Sequence, residues 1–161
     1  MGRIEHTVRV EAPRERVFDL ARSIDAHVAS ATGTDERPVA REGGKTSGLM
    51  VLGDQVTWRA KHLGVVQHLT SRITQYDRPK HFRDSMVSGA FAAFDHDHYF
   101  DEDGPSSTLV RDVFDFTSPL GPLGRIANTL FLDAYMRRFI EERARVLKEL
   151  AEGDHWAKLL G

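Results

Sequence analysis

In TLVRDVFDFTSPLGPLGRIANTLFLDAYMRRFIEERARVLKELAE, residues 108–152, the apolar spacing changes once, from two to between three and four. Thr108–Thr117 alternates. Val110, Asp112, Phe114 and Phe116 share one face, with Arg111 and Asp115 opposite, the pattern of a strand with one buried side. Pro119, Gly121, Pro122 and Gly124 interrupt it. From Arg125 to Glu152 there is neither Gly nor Pro, and strong helix formers dominate, so one long helix is expected. Its first half is apolar on more than one side, through Ile126, Ala127, Leu130, Phe131, Leu132, Ala134, Tyr135 and Met136, and is expected to be buried. The second half becomes amphipathic through Phe139, Ile140, Val146, Leu147 and Leu150. Such a helix needs a sheet to cover.

That sheet is sought upstream. Strands are predicted at Gln55–His62, Val65–Tyr76, His81–Val87 and Phe91–Phe100, ahead of Thr108–Thr117. The breaks between them are short and turn-like: Leu63-Gly64, Asp77-Arg78-Pro79, Ser88-Gly89 and Asp101 to Ser107. Five strands so connected make an antiparallel meander. Nearer the N-terminus, Arg3 to Glu11 alternates with Ile4, His6, Val8 and Val10 on one side, a further half-buried strand. Pro13 suits the first turn of a short helix that carries Val17, Phe18, Leu20 and Ala21. Ser23 caps a second, Ile24 to Ala31, ended by Gly33. Between Arg37 and Asp54 the pattern weakens, with β-like pieces at Pro38–Glu42 and Leu49–Leu52 among four glycines. The tail from Gly153, which contains Trp156, is expected to fray or to pack on the surface.

The predicted class is therefore α+β: a curved antiparallel sheet of six or seven strands around a long C-terminal helix, with two short helices after the first strand. Residues 1–161 are read as one domain. This order, and the stretches VRVEAPRERVFDLARSI (8–24), TSRITQYDRPKHFRDSMVSGAF (70–91) and TLVRDVFDFTSPLGPLG (108–124), resemble the START/Bet v 1-like (SRPBCC) superfamily over nearly the whole chain. The sequence looks closest to its bacterial ligand-binding branch, grouped with polyketide cyclases and lipid-transfer proteins. The resemblance implies a helix-grip fold and an internal cavity, and no particular reaction.

Composition narrows the function classes. The net charge is −2, and the densest basic run, Arg137 to Lys148, is interleaved with Glu141 and Glu142, so no nucleic-acid partner is expected. No apolar stretch reaches the ~20 residues of a membrane span, and the N-terminus has no signal core. Cysteine is absent, which removes disulfides, thiol catalysis and thiolate metal sites and fits a cytoplasmic protein. There is no phosphate-binding glycine motif and no Gly-x-Ser-x-Gly elbow. No cofactor and no metal is assigned, and the oligomeric state is left open.

The candidate site comes from parity. Phe94, His96, His98 and Phe100 share a strand face, with Asp95, Asp97 and Tyr99 opposite. Asp84 falls on the face of Phe82 and Met86, Asp112 on that of Phe114, and His62 follows Val56, Trp58 and Ala60. If Phe100 pairs with Thr108, His96 lies opposite Asp112 and His98 opposite Val110. A tight Ser88-Gly89 turn would instead put Phe91 and Asp95 inside, so a bulge or longer turn is expected there. Charges on apolar faces must be paired or wet. Three readings stay open: a structural network, a polar patch in a ligand pocket, or a metal site built on His96-x-His98.

The favoured expectation is binding of a small hydrophobic or amphipathic molecule of lipid, polyketide or aromatic type. Trp58, Asp84, Met86, Phe94, His96, His98, Asp112, Phe114 and Leu130 are the candidate pocket residues. The alternatives are a cyclase/dehydratase-type enzyme with His96 and Asp112 as catalytic candidates, and a protein-interaction module whose cavity is vestigial.

Overall fold

The structure, a computed structural model, describes residues 1–31, 34–62, 64–118 and 125–160, with side chains of residues 125–130 excepted. Gly33, Leu63, the Pro119–Gly124 break and the side chains of Ile126, Ala127 and Leu130, all named above, lie outside the described residues. Among the described residues eight strands are seen: β1 (Gly2–Val10), β2 (Arg37–Val39), β3 (Gly44–Lys45), β4 (Gln55–His62), β5 (Val65–Asp77), β6 (His81–Ser88), β7 (Ala93–Glu102) and β8 (Thr108–Thr117). Helices α1 (Arg14–Ala21) and α2 (Ile24–Ser30) follow β1, and α3 (Arg125–Glu152) follows β8.

The sheet runs β1-β8-β7-β6-β5-β4-β2, with β3 beside β4. Every pairing on that path is antiparallel; the two-residue β3 runs parallel to β4. The weak region thus yields strands at Arg37–Val39 and Gly44–Lys45 rather than Pro38–Glu42 and Leu49–Leu52, and Leu49 makes only an isolated bridge to Ser23. Gly48 sets the chain's course there. Its φ of +81° is open to glycine at no steric cost, its N–H donates to Asp25 Oδ2 (2.8 Å), and its carbonyl accepts from Ile24 N–H (3.0 Å).

Helices α1 and α2 lie where a proline, a serine cap and apolar spacing put them. Pro13 precedes the first turn of α1, and Ser23 Oγ accepts from Ala26 N–H (3.1 Å) as the cap of α2. They join one apolar cluster, in which the ring of Phe18 meets Tyr76, Phe82 and Phe100 edge-on at 5.2–5.7 Å between centroids. A second cluster, Ile4, Phe94, Phe114, Phe116, Met136 and Ile140, lies under the earlier part of α3.

One expectation changes. The first half of α3 is not buried all round: among its described side chains Met136 is buried, Leu132 and Tyr135 are half-buried, and Phe131 is 55% exposed. Phe131, Leu132, Tyr135 and Met136 border the cavity, and the last three pack on the second cluster as well, so this stretch is covered on one side only. Of the two courses expected for the tail, it packs. Trp156, Leu159 and Leu160 pack on the first cluster, Ser23 Oγ donates to Leu159 C=O (2.9 Å), and the Arg16 guanidinium lies 4.2 Å over Trp156.

Candidate functional site

Along the concave face of three adjacent strands, apolar side chains give way to polar ones at the same level. On β7 the order is Phe94, His96, His98, Phe100; on β8 it is Phe116, Phe114, Asp112, Val110; on β6, Asp84 follows Phe82. Phe94, Phe114 and Phe116 belong to the second cluster, and Phe82, Phe100 and Val110 to the first. The His/Asp residues therefore form a polar belt between two apolar layers. It faces a cavity of about 450 Å³ between the sheet, α2 and α3.

The register that makes the belt differs from the expected one by two residues. β7 runs on to Glu102, which pairs with Thr108, so Phe100 faces Val110, His98 faces Asp112 and His96 faces Phe114. The shorter turn is closed by Asp103 N–H donating to Ser107 C=O (2.9 Å) and by Ser107 Oγ donating to Asp103 C=O. An even shift keeps every side chain on its own face, so His96 still reaches Asp112, now diagonally. At the other end β6 leaves β7 after the pair Ser85–Asp95, and the longer connection lets Phe91 pack inside against Phe94, Phe114 and Phe116 while Asp95 stays outside. Asp97 also faces away from the cavity yet is buried, because His81 (2.7 Å) and Arg83 (2.7 Å) cover its carboxylate on the convex side.

Within the belt, His96 Nε2–H donates to Asp112 Oδ1 (3.2 Å), and His98 Nε2–H donates to Asp84 Oδ1 (3.0 Å). His98 Nδ1 lies 2.7 Å from Asp112 Oδ1, and His96 Nδ1 3.9 Å from Asp84 Oδ1. The two imidazoles tilt against each other with centroids 3.9 Å apart. Burial opposes the charge on His98, but hydrogen bonds and charge from Asp112 and Asp84 outweigh it, and its pKa is raised to about 9. Burial likewise pushes Asp112 and Asp84 up, and the histidine contacts win, holding both below the usual carboxylate range. At neutral pH the belt is a half-buried His98 imidazolium between two carboxylates, with the His96 ring beside it.

Asp84, His96 and His98 offer ligand atoms within 4.8 Å of one another, the distance scale of a metal site. Both nitrogens of His98 contact carboxylates, however, so an ion would have to displace a held proton. In this conformation the arrangement holds protons.

Of the predicted pocket residues, Trp58, Asp84, Phe94, His96, His98, Asp112 and Phe114 line the cavity. Met86 does not: past the point where β6 leaves β7 it rests, half-buried, on the second cluster. The side chain of Leu130 is outside the described residues. A second polar group on the α2–β4–α3 side has no place in the sequence reading, His62 apart. Arg143 donates to Glu36 Oε2 (2.9 Å), and His27 Nε2 lies 3.1 Å from Glu36 Oε1, out of line for a hydrogen bond. His27 also stacks on Trp58 at 3.9 Å. His62 Nδ1 is 2.5 Å from Tyr135 Oη. Burial raises Glu36, but His27 and Arg143 outweigh it and hold its pKa near 2. Burial and Arg143 lower His27 against the pull of Glu36 and Asp84. Burial foremost lowers His62 and raises Tyr135, so both favour their neutral forms. A signal exists for two of these residues. His27 stands three after Ile24, and Arg143 four after Phe139 and four before Leu147, each on its helix's apolar stripe. Glu36 sits in a loop without periodicity and leaves none.

A family model described as "Polyketide cyclase / dehydrase and lipid transport" matches residues 1–152. Among solved structures the chain resembles TTHA0849 from Thermus thermophilus, at 20% identity and TM-score 0.72, over 92% of this chain and 95% of that one. It also resembles a START superfamily protein from Mycobacterium smegmatis, at 16% identity and TM-score 0.71, over 93% and 97%. Zhui aromatase/cyclase from Streptomyces sp. R1128 matches at 15% identity and TM-score 0.72, over 94% and 93%. At these identities the structural likeness is one of fold. A comparison with curated proteins finds no significant match.

Proposed function

The chain belongs to the polyketide cyclase/dehydrase and lipid-transport family, and from that premise we propose that its cavity binds a small molecule with an apolar body and a polar end. One observation carries the proposal. A cavity of about 450 Å³ is walled mainly by side chains such as Trp58, Ile73, Phe94, Phe114, Met136 and Ile140, and two polar groups interrupt that wall, the His/Asp belt and the Arg143–Glu36 pair with its neighbours. Ligand sites typically span about 300–1,000 Å³ and combine an apolar lining with a few convergent polar groups. The apolar walls take the body, and the belt of Asp84, His96, His98 and Asp112 takes the polar end. No helix among the described residues is long and apolar enough to cross a membrane, and the cysteine-free chain fits action in the cytoplasm.

The test is uptake of the neutral dye N-phenyl-1-naphthylamine, read as fluorescence gain, alongside native mass spectrometry of freshly purified protein. Ala60 lines the cavity and is 5% exposed, so Ala60→Phe fills the void from one wall. Wild type is expected to take up dye, and Ala60→Phe to lose most of that uptake with unchanged far-UV circular dichroism. Equal uptake by both proteins, or none by wild type, contradicts the proposal.

A second reading, turnover of a carbonyl compound by cyclisation or dehydration, rests on His98 being held protonated as a donor while the neutral His62–Tyr135 pair stands elsewhere on the wall. Under that reading His98→Gln abolishes turnover of a co-purified ligand and spares its affinity.

A further inference from the structure

We infer that the polar end of the ligand is a hydrogen-bond donor, a hydroxyl or a protonated amine, and not a carboxylate. This rests on the cavity being a ligand site, and it follows from which charges in the wall are already partnered. Two arginines line the cavity. Arg143 is joined to Glu36 (2.9 Å), and Arg22 to Asp19 (2.7 Å) with a further bond to Met50 C=O (3.1 Å). The half-buried imidazolium of His98 touches two carboxylates at once. Among the described residues, then, no full cation in the wall stands free for an anionic head.

The carboxylates are in the opposite position. Asp84 and Asp112 share the two histidines between them, and each enters the network through Oδ1 alone. Among the described residues neither Oδ2 has a hydrogen-bond partner, and neither is a fully enclosed orphan atom. These oxygens are acceptors with spare capacity in a wall whose accessible polar surface faces the cavity. A ligand O–H or N–H⁺ would complete them. A ligand carboxylate would meet two like charges in a site of low dielectric, where such contacts are repulsive and poorly screened.

Three competitors with one apolar body separate the possibilities: 1-decanol, decylamine and decanoate, each displacing N-phenyl-1-naphthylamine at about pH 8, where decanoate is ionised and the amine protonated. Decanol and decylamine are expected to displace the dye at concentrations at least about tenfold below decanoate. Asp84→Asn and Asp112→Asn, each checked for native circular dichroism, are expected to narrow that ratio, the amine losing most. Decanoate displacing as well as or better than the others, or no difference among the three, overturns the donor inference and leaves cavity binding standing. Retention of the full preference in the folded variants overturns it as well. Failure of the dye to bind at all removes the cavity reading and this inference together.

Discussion

Replacing Asp112 by Asn preserves shape and an accepting oxygen while removing one of the two charges that hold His98 protonated. The consequence can be worked from the site. Raising the pKa of His98 from 6.5 to about 9 corresponds to about 3 kcal/mol favouring the folded state. His98 is the folded-state group with the raised pKa, so this stabilisation is complete below about pH 6.5 and is lost as the pH rises through about 9. Asp112 and Asp84 contact it at 2.7 and 3.0 Å, so each carries a comparable share. Losing one should cost about 1–2 kcal/mol near pH 6, after the relief of no longer burying the Asp112 charge. The gap should narrow as wild type loses the His98 proton. Urea unfolding of both proteins from about pH 6 to about pH 10, read by circular dichroism with m held equal, measures the difference directly. A gap that does not vary with pH, or a variant more stable than wild type at pH 6, would refute this account of the belt.

Glu36→Gln should destabilise by about 2 kcal/mol, because the half-buried Arg143 loses its counter-charge. Since the Glu36 pKa is depressed from 4.5 to about 2, its contribution is present above 4.5 and lost as the pH falls through 2. Acid titration of stability should therefore be shallower in the variant over that window. Phe18→Ala empties the contact of three aromatic rings at a fully buried site and should cost about 3–5 kcal/mol in denaturant unfolding. Ser23→Ala removes both the cap of α2 and the bond that ties down Leu159; it should cost about 1–2 kcal/mol and speed hydrogen exchange at Ala26.

The fold is largely legible in the sequence because its elements announce themselves locally. Thr108–Thr117 and Arg125–Glu152 have the bounds that alternation and an unbroken helix-forming run predict. The face of His96 and His98 is legible for the same reason, since parity along a strand survives an even error in register. The register itself is not, because it depends on whether Asp101 and Glu102 continue the strand or join the turn, and the Ser107–Asp103 bonds decide that. The void beneath the first half of α3 is invisible as well. An apolar side chain facing a cavity and one facing a core look alike in sequence, so spacing alone puts Phe131 inside. Glu36 is the extreme case, a loop carboxylate whose role exists only once α2, β4 and α3 surround it.

The pairing of β1 with β8, Gly2 against Phe116 through Val10 against Thr108, sets an order on biogenesis. β1 is made before its partner strand, which leaves the ribosome about 100 residues later, about 5–20 s at ordinary rates of synthesis. For that interval the apolar side of β1, with Ile4, Val8 and Val10, has no sheet to join. The cover for α1 comes later still: Arg16 donates to the carbonyl of Ala151, and Glu11 N–H to the Glu152 carboxylate, at the far end of α3. Chains cut before α3 would thus still pair β1 with β8 but would leave the apolar concave face without the cover that Met136 and Ile140 give it.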